Sequence, residues 1–377
     1  MSAQVGCGTY TAEVWTRGGG ERITLGSAAG LPVKSGSWSR DTDVTTRHEL
    51  VIASNPDCCG LLATIRPYAH EIHLYRHPAP NRAGELVYVG VVRPGMKDKP
   101  NPQAPEVIVP IADLTHWWQV RWVHSDHDWT TETGSGPLSL IEQFRILHED
   151  AMAPDTSPNI ELHITAGGTA SGERRVLEAE HRPVFTPLSE LARDGVDFSA
   201  CSTPSHPRRV LVGAPELSVT VVATLLDDHW QQPPDAETGT VATRIGVAGA
   251  GGGENGDDVW GEASSSPAAR DFYGLVERRF DENLIESNDS AAQAARYRRG
   301  LIGERSPIRM DGGVLLPSAP LDLVNTCAGS HVIVSRGGCL SVVDEYRIQT
   351  ISVEFDGEGE RVALALRPLS DEGEESL

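Results

Sequence analysis

The sequence predicts a mainly β protein with α+β parts, in which two β-barrel-like domains, the second of them discontinuous, accompany an α/β middle domain. With 38 Gly and 25 Pro in 377 residues, the chain is interrupted more often than a helical bundle tolerates. Its apolar runs are mostly short and alternate with polar residues, as strands do, and helical spacing is confined to a few segments. A chain of this length also exceeds one ordinary core and divides into several domains.

Strand patterns dominate the N-terminal third of the chain. The run WSRDTDVTTRHELVIA has a polar turn at residues 40–43 and then alternates through Ile52. HEIHLYR places Ile72 and Leu74 on one face, its expected hairpin partner is ELVYVGVV, and EVIVPIAD follows. We therefore expect residues 1–130 to form one β-barrel-like domain.

Three helices are predicted from apolar spacing and end signals. SGPLSLIEQFRILHEDAMAPD predicts a helix from Pro137 to Met152. TPLSELARDG predicts a shorter helix with Thr186 as its N-cap. DSAAQAARYRRG predicts a third, with Ser290 beginning a capping box and Gly300 just beyond its end.

Strand patterns return between the second and third helices and again after the third. We expect a second β-barrel-like domain over residues 207–261 and 305–370. The helical pieces at 131–206 and 262–304 would then pack together as a discontinuous α/β middle domain. Residues 371–377, DEGEESL, are typical of a solvated acidic tail.

Charge and cysteine usage exclude several classes of function. The net charge of −21 argues against general affinity for nucleic acid, because phosphate binding needs clustered Lys and Arg. The 6 cysteines are scattered and favour a reducing site of synthesis over a dense disulfide framework. No apolar run approaches the ~18 residues of a membrane span, and no export signal is recognised near the start.

The stretch PDCCGLLATIRPYAHEIHLYRH raises the question of a metal or catalytic site. Adjacent cysteines normally point apart, and on a strand His70 lies opposite His73 and His77, so metal binding is disfavoured. No helix N-terminus is predicted at Cys58 to activate its thiol. We expect a turn and short segment whose side chains fill the top of a barrel, and we assign a structural core of Cys58, Cys59, Leu61, Leu62, Ile65, Ile72, Leu74 and Trp118.

Other candidate motifs favour structural interpretations. GGGENG, at residues 251–256, precedes no helix and is interpreted as a loop tip, and HSDHDW, at residues 124–129, as a solvated turn. In THWWQVRW, strand alternation would put Trp118 and Trp122 on one core face while Trp117 caps an edge or interface. The alternative is an exposed aromatic patch that binds carbohydrate or a partner protein. No catalytic, cofactor-binding or metal-binding residue is assigned, and no cofactor is expected.

The order of motifs resembles a known family. The run Trp38-x-Arg40-x-x-Asp43-Val44, the pair Cys58–Cys59 and the run RPYAHEI, residues 66–72, resemble the N-terminal domain of minor tail proteins from siphophages of actinobacteria. Those proteins are similar to the tail hub, or baseplate hub, of tailed phages. The likeness continues through HEDAM, LARDGVDF and residues 272–300 to RVALALRPL, and so covers most of the chain in order.

The resemblance implies a homotrimeric, non-enzymatic tail hub. Such a ring would sit at the distal tip of a non-contractile tail, adapt the six-fold tail tube or distal tail protein to the three-fold tip, and surround the tape measure protein and DNA channel. It implies contacts with tip or fibre proteins, a location in the virion and synthesis in the host cytoplasm. The alternatives are a tail-tip cell-wall hydrolase and a receptor- or carbohydrate-binding tail protein.

Overall fold

The computed structural model of the chain describes residues 8–24, 30–54, 56–79, 82–99, 105–127, 129, 138–166, 182–193, 195–213, 217, 220–238, 241–249, 259–282, 285, 287–302, 308–338 and 341–369. The GGGENG segment, the acidic tail, Pro137, Cys7 and Cys339 lie outside these ranges. The helices are α1 (Pro56–Thr64), α2 (His116–Val120), α3 (Leu140–Met152), α4 (Phe185–Arg193), α5 (Pro267–Tyr273) and α6 (Asn288–Ile302).

The strands make the fold mainly β. They are β1 (Thr9–Thr16), β2 (Arg22–Ile23), β3 (Leu31–Asp41), β4 (Arg47–Ala53), β5 (His70–His77), β6 (Glu85–Val92), β7 (Lys97–Lys99), β8 (Glu106–Ala112), β9 (Glu161–Ala166), β10 (Asp197–Ala200), β11 (Arg209–Gly213), β12 (Val221–Leu226), β13 (Trp230–Gln232), β14 (Asp235–Thr238), β15 (Arg244–Ala248), β16 (Trp260–Ser264), β17 (Glu277–Asp281), β18 (Ile308–Leu315), β19 (His331–Arg336), β20 (Val342–Asp356) and β21 (Gly359–Pro368).

Six N-terminal strands close into a barrel. The antiparallel order is β3, β4, β8, β6, β5 and β1, and β1 returns to β3 through the pairs Thr11 with Pro32 and Ala12 with Leu31. Every second side chain of each strand points into the barrel, as the alternating sequence pattern predicted. The fully buried interior includes Trp38, Leu50, Ile52, Ile72, Leu74, Val109 and Ile111.

A second strand set continues the same sheet. The C-terminal half of β20 pairs with β3, for example Val353 with Trp38, while its N-terminal half pairs with β19. From β20 the set extends through β21 and β18 to β13 and β14, and through β19 to β12. Residues of both regions form one hydrophobic cluster, so their interiors are continuous. The two predicted β regions are therefore fused side by side, while their exact domain limits stay a prediction.

The helices pack in separate places rather than in one layer. Helices α3 and α4 cover the three-stranded sheet of β9, β11 and β10, whereas α6 covers the sheet of β16, β15 and β17. A Cβ added at Gly261 would lie 2.0 Å from the backbone nitrogen of Ala292, so only glycine lets α6 approach this closely. Among the described residues the two helical groups have distinct cores, which differs from the expected common packing.

The predicted helices exist, but their ends are displaced. Ser139 caps α3 by accepting a hydrogen bond from the Glu142 N–H. Ser287 Oγ accepts the Ser290 N–H at the start of α6, so the cap precedes the predicted one by three residues. Helix α4 begins at Phe185, so Thr186 lies inside it. Gly300 lies within α6, whereas the sequence predicted it just beyond the end of the helix.

Candidate functional site

The double-cysteine stretch forms a helix, not the expected turn. Pro56 opens α1, where its missing N–H costs nothing. Cys58 is buried and Cys59 is exposed, so the prediction that both cysteines fill the core is wrong for Cys59. Adjacent residues on a helix point in different directions, so Cys58 and Cys59 do not both face the core. The same would hold on a strand.

The other assigned core residues are buried, but in two clusters. Leu61, Leu62 and Ile65 pack under α1 into the barrel interior. Ile72 and Leu74 lie in the same cluster on β5. Trp118 belongs instead to the core beneath α3 and α4.

The three histidines near the cysteines have separate partners. His70 Nδ1 accepts the Arg66 N–H, His73 stacks on Trp15, and His77 Nε2 is 2.8 Å from Thr11 Oγ1. Within the part of the chain that the structure describes, no three His, Cys, Asp or Glu side chains are grouped so as to hold a metal ion.

The tryptophan segment is helical, so the alternation predicted for it is wrong. On α2, Trp117 and Trp118 are both buried, whereas Trp122, beyond the helix, is 51% exposed. Trp118 Nε1 donates to His148 Nδ1 over 3.0 Å. Burial lowers the pKa of His148 to about 4, which keeps the ring neutral and able to accept.

The HSDHDW segment is anchored, which differs from the expected solvated turn. Asp150 of α3 accepts the backbone N–H groups of His124 and Ser125. His127 and Trp129 are buried and stack with ring centroids 4.9 Å apart. Anchoring by a helix carboxylate is a tertiary contact that the local sequence does not encode.

Arg40 is a buried charge with five hydrogen-bond acceptors among the described residues. Its guanidinium, on the same side of β3 as Trp38, donates to five backbone carbonyls and to no carboxylate. Nη2 reaches Val87 O at 2.8 Å and Ser202 O at 2.7 Å. The remaining acceptors are Leu323, Val324 and Thr326. Burial first, and then the charge of Arg209, lowers the pKa of Arg40 to about 9, so it stays a cation near neutral pH. One side chain thus ties the barrel to two other parts of the chain.

A second buried contact joins β5 to the segment before β11. Arg208 Nη2 donates to Glu71 Oε1 over 3.0 Å, and the Gly18 N–H donates to the same oxygen. Both side chains are nearly inaccessible. Burial alone would raise the pKa of Glu71, but the nearby His73 ring, 3.9 Å away, and the hydrogen bonds from Arg208 lower it overall.

A third contact closes one end of the barrel against the hairpin of β20 and β21. Arg76 Nε donates to Glu360 Oε2 over 2.9 Å, and the Tyr10 hydroxyl donates to the same oxygen over 2.6 Å. Tyr10 also stacks on Phe355, with ring centroids 3.8 Å apart. Burial, followed by the Glu360 charge, raises the pKa of Tyr10 well above its ordinary value, so the phenol keeps its proton.

A fourth contact joins the turn after β3 to β10 and β20. Asp43 Oδ1 accepts the Phe198 N–H over 2.9 Å, and the Asp43 N–H donates to Phe198 O over 2.8 Å. Asp197 pairs with Arg347 Nη1 at 2.6 Å. Burial raises the pKa of both carboxyls, and the Asp197 charge raises that of Asp43 further. These four buried polar contacts are called the junctions below.

Sequence reasoning quoted several junction residues without assigning them a role. Arg40, Asp43 and Glu71 lie in the runs that carry the family resemblance. No local signal marks these residues, because polar and charged residues are common on the same strands, as in HEIHLYRH around Arg76. Their partners are hundreds of residues away in several cases, for example 284 residues between Arg76 and Glu360.

Two further features complete the site. Cys201 and Cys327 form a disulfide across 126 residues, a pairing that their spacing did not predict. A cavity of about 620 Å³ is lined by Glu354, Asp356, Glu358 and Glu360 with Gln231, Gln232, Val314, Phe355, Gly359 and Arg361. The junctions hold layers together, since their polar groups contact one another or the backbone. Glu360 also borders this acidic cavity.

The fold, but not the sequence, matches known proteins. No protein-family model and no curated protein matches the chain. A tail protein from Neisseria meningitidis is similar with a TM-score of 0.61 and 11% identity, over 95% of this chain and 96% of that one. The 43 kDa tail protein of prophage MuSo2 from Shewanella oneidensis has a TM-score of 0.57 and 12% identity, over 96% and 98%. Prophage tail protein gp18 from Listeria monocytogenes has a TM-score of 0.56 and 11% identity, over 94% of both chains.

These likenesses establish a shared fold that spans nearly the whole of each chain. The fold is mainly β, with a closed six-stranded barrel and few helices, and it is similar to the folds of these tail proteins, so the expected mainly β class is confirmed. The expected division into two barrel-like domains and an α/β middle domain stays a prediction. None of the described helices is long and apolar enough to cross a bilayer.

Proposed function

We propose that the protein is the structural hub of a non-contractile phage tail, of the kind found in actinobacterial siphophages. It forms a homotrimeric ring at the distal tip of the virion tail. The ring joins the six-fold tail tube or distal tail protein to the three-fold tip and fibre proteins. It surrounds the tape measure protein and the DNA channel.

The observation that carries this proposal is that the fold match covers nearly all of this chain and nearly all of each tail protein. Each of three tail proteins is covered over at least 94% of its own length, so the likeness extends to the whole architecture and not to one common barrel. A widely shared small barrel would support no function, because one fold serves many functions. A whole multi-part architecture is a far narrower signature.

The side-by-side fusion of the two β regions supports the symmetry argument. The barrel and the second strand set are locked together by the pairing of β3 with β20. Three copies of a chain with two such units present six modules around one axis. A ring of this kind can meet a six-fold tube on one side while keeping three-fold symmetry on the other.

The acidity of the chain has a use in this role. With a net charge of −21 per subunit, a ring whose channel carries part of the acidic surface repels DNA phosphates and lets the genome pass. The acidic hairpin around Glu354, Asp356 and Glu358 is a source of such charge. A neutral or basic channel in the assembled ring would contradict this part of the proposal.

A structural role is preferred to the enzymatic and carbohydrate-binding alternatives. Buried carboxylates such as Glu71 and Glu360 are held in ion pairs that join layers, which is a structural use of charge. In the tryptophan segment, Trp117 and Trp118 are committed to the core, and only Trp122 offers a broad exposed ring. No specific nucleic acid, membrane or cofactor enters the proposal.

Light scattering combined with negative-stain electron microscopy tests the proposal. We expect a three-fold ring with a central hole and a mass three times 40.6 kDa, formed alone or on addition of the tail tube or distal tail protein. A protein that stays monomeric in the presence of both would overturn the hub assignment. A zymogram on cell-wall material is the parallel control, since clearing by the purified protein would favour the hydrolase alternative.

A further inference from the structure

We propose that Cys201 and Cys327 are a thiol–disulfide exchange site that is oxidised after the chain has folded. The resulting bond locks together the segments that hold Arg40. This inference rests on the geometry around the two sulfurs and does not depend on the tail role.

Both cysteines are positioned by contacts other than the bond between them. Cys201 follows β10, and its N–H donates to Arg209 O over 3.0 Å. Cys327 lies in the loop before β19, where its carbonyl accepts the Ser330 N–H, and the nearby Gly329 N–H donates to Ile348 O. A Cβ at Gly329 would lie 2.6 Å from Leu217, which also packs in the small cluster with both cysteines, so this loop is tightly seated. The folded dithiol therefore holds its sulfurs ready to bond.

A cation lies beside both sulfurs. Arg209 Nη2 is 3.3 Å from the Cys327 sulfur and 3.6 Å from the Cys201 sulfur. A guanidinium at this distance favours the thiolate, which is the form that attacks a disulfide. Arg209 is partly exposed, and Cys327 is 6% exposed whereas Cys201 is fully buried. Cys327 is thus the more accessible residue of the pair, and the proposal assigns it the first attack.

The reaction is an exchange with a low-molecular-weight disulfide such as oxidised glutathione. The Cys327 thiolate attacks one sulfur of that molecule, forming a mixed disulfide and releasing one glutathione thiolate. The Cys201 thiolate then attacks the Cys327 sulfur, forming the protein disulfide and releasing a second glutathione thiolate. Two electrons pass from the protein thiols to the small disulfide, and two glutathione molecules leave as thiols once their sulfurs are protonated.

The bond secures the segments around Arg40. Ser202, directly after Cys201, gives one carbonyl to the Arg40 guanidinium. Thr326, directly before Cys327, gives another. The disulfide joins these two segments across 126 residues, and closing so long a loop restricts the unfolded chain strongly. Oxidation therefore reinforces the junction that ties the barrel to its neighbours.

The test uses full-length protein purified with a reductant and carrying Cys59→Ser, which removes the exposed free thiol among the described residues. After transfer to oxidised glutathione under native conditions, we expect a Cys201–Cys327 linked peptide by mass spectrometry. We also expect the melting temperature to rise by roughly 5–10 °C. The matched variant with Cys201→Ser and Cys327→Ser should show no rise. Failure of the linked peptide to form in folded protein, or an unchanged melting temperature after it forms, would overturn the proposal.

The role of Arg209 is tested by rate. Arg209→Gln keeps a hydrogen-bond donor but removes the charge, and should slow formation of the linked peptide roughly three- to ten-fold. Arg209→Lys keeps the charge and should retain most of the rate. Equal rates for Arg209→Gln and the parent protein would show that the cation does not activate the thiols.

Discussion

The closed barrel and the second strand set satisfy their backbone groups in different ways. Each of the six barrel strands has a neighbour on both sides, because β1 returns to β3. In the second set, β12 pairs with β19 and with no other described strand, and the set is joined to the barrel through β20. The barrel is thus complete in itself, whereas the second set relies on the barrel and the junctions. Loosening a junction that reaches the second set, such as the one at Arg40, should therefore loosen that set before the barrel.

The largest expected effect comes from Arg40→Met. It leaves five buried carbonyls without their donor, and we expect a loss of about 4 kcal/mol or more in the free energy of unfolding. Differential scanning calorimetry should show the single transition split, with the lower one belonging to the second set. As a control, Arg361→Met, at an exposed arginine of β21, should leave the trace unchanged. An intact single transition for Arg40→Met would mean that the junction does not couple the two regions.

Glu71→Gln should cost about 3–5 kcal/mol, because it leaves the Arg208 guanidinium buried without a counter-charge. The double variant Glu71→Met with Arg208→Met should recover most of that loss, since neither charge then remains to be desolvated. Urea unfolding of Glu71→Met, of Arg208→Met and of the double variant measures the coupling between the two side chains. If the losses simply add, the two side chains do not act as a pair.

Paired core truncations compare the regions directly. Leu50 of β4 and Leu225 of β12 are both fully buried. Leu50→Ala should cost about 4 kcal/mol because the closed barrel cannot collapse around the cavity, and Leu225→Ala about 2–3 kcal/mol because an edge strand can relax. Urea unfolding gives both values. Equal costs, or a larger cost at Leu225, would contradict the view that the second set is the more compliant region.

The smallest effect is the pH dependence of the junction at Asp43. Since burial raises the folded-state pKa of Asp43 above its unfolded value near ~4, its contribution to stability is complete below that pH and is lost as pH rises through the folded pKa. Asp43→Asn keeps the acceptor for the Phe198 N–H and tolerates the positive φ of 64°.

Melting curves from pH 4 to pH 7 should therefore show the Asn variant gaining on the parent as pH rises, by about 1 kcal/mol. Asp98→Asn, at an exposed position of β7, is the control and should follow the parent. An advantage that grows toward acid pH instead would reverse the assigned direction. Glu71 has the opposite sign, because its lowered pKa makes its contribution disappear as pH falls.

Local patterns predicted local structure and missed what depends on distant partners. The alternation around Ile72 and Leu74 correctly predicted a strand. Alternation failed at Trp117, which is buried, and at Trp122, which is exposed, because a five-residue helix is too short to show a helical period. Cys59 was placed in the core because two cysteines beside leucines look apolar, although α1 turns that side chain outward. The junctions were missed because a charged residue on a strand does not reveal its partner.

The sequence by itself determined the mainly β class, the existence of the three principal helices and the strong acidity, since these follow from composition and from periods of two and 3.6 residues. Tertiary structure alone decided that β1 pairs with β3 to close the barrel and that Arg40 donates hydrogen bonds to carbonyls in three parts of the chain. It also decided that Cys201 and Cys327 form a disulfide across 126 residues. The physical reason is the distance along the chain over which each kind of interaction acts. A periodic pattern reports the backbone state of neighbouring residues, whereas strand order and buried partners are set by the packing of the whole chain.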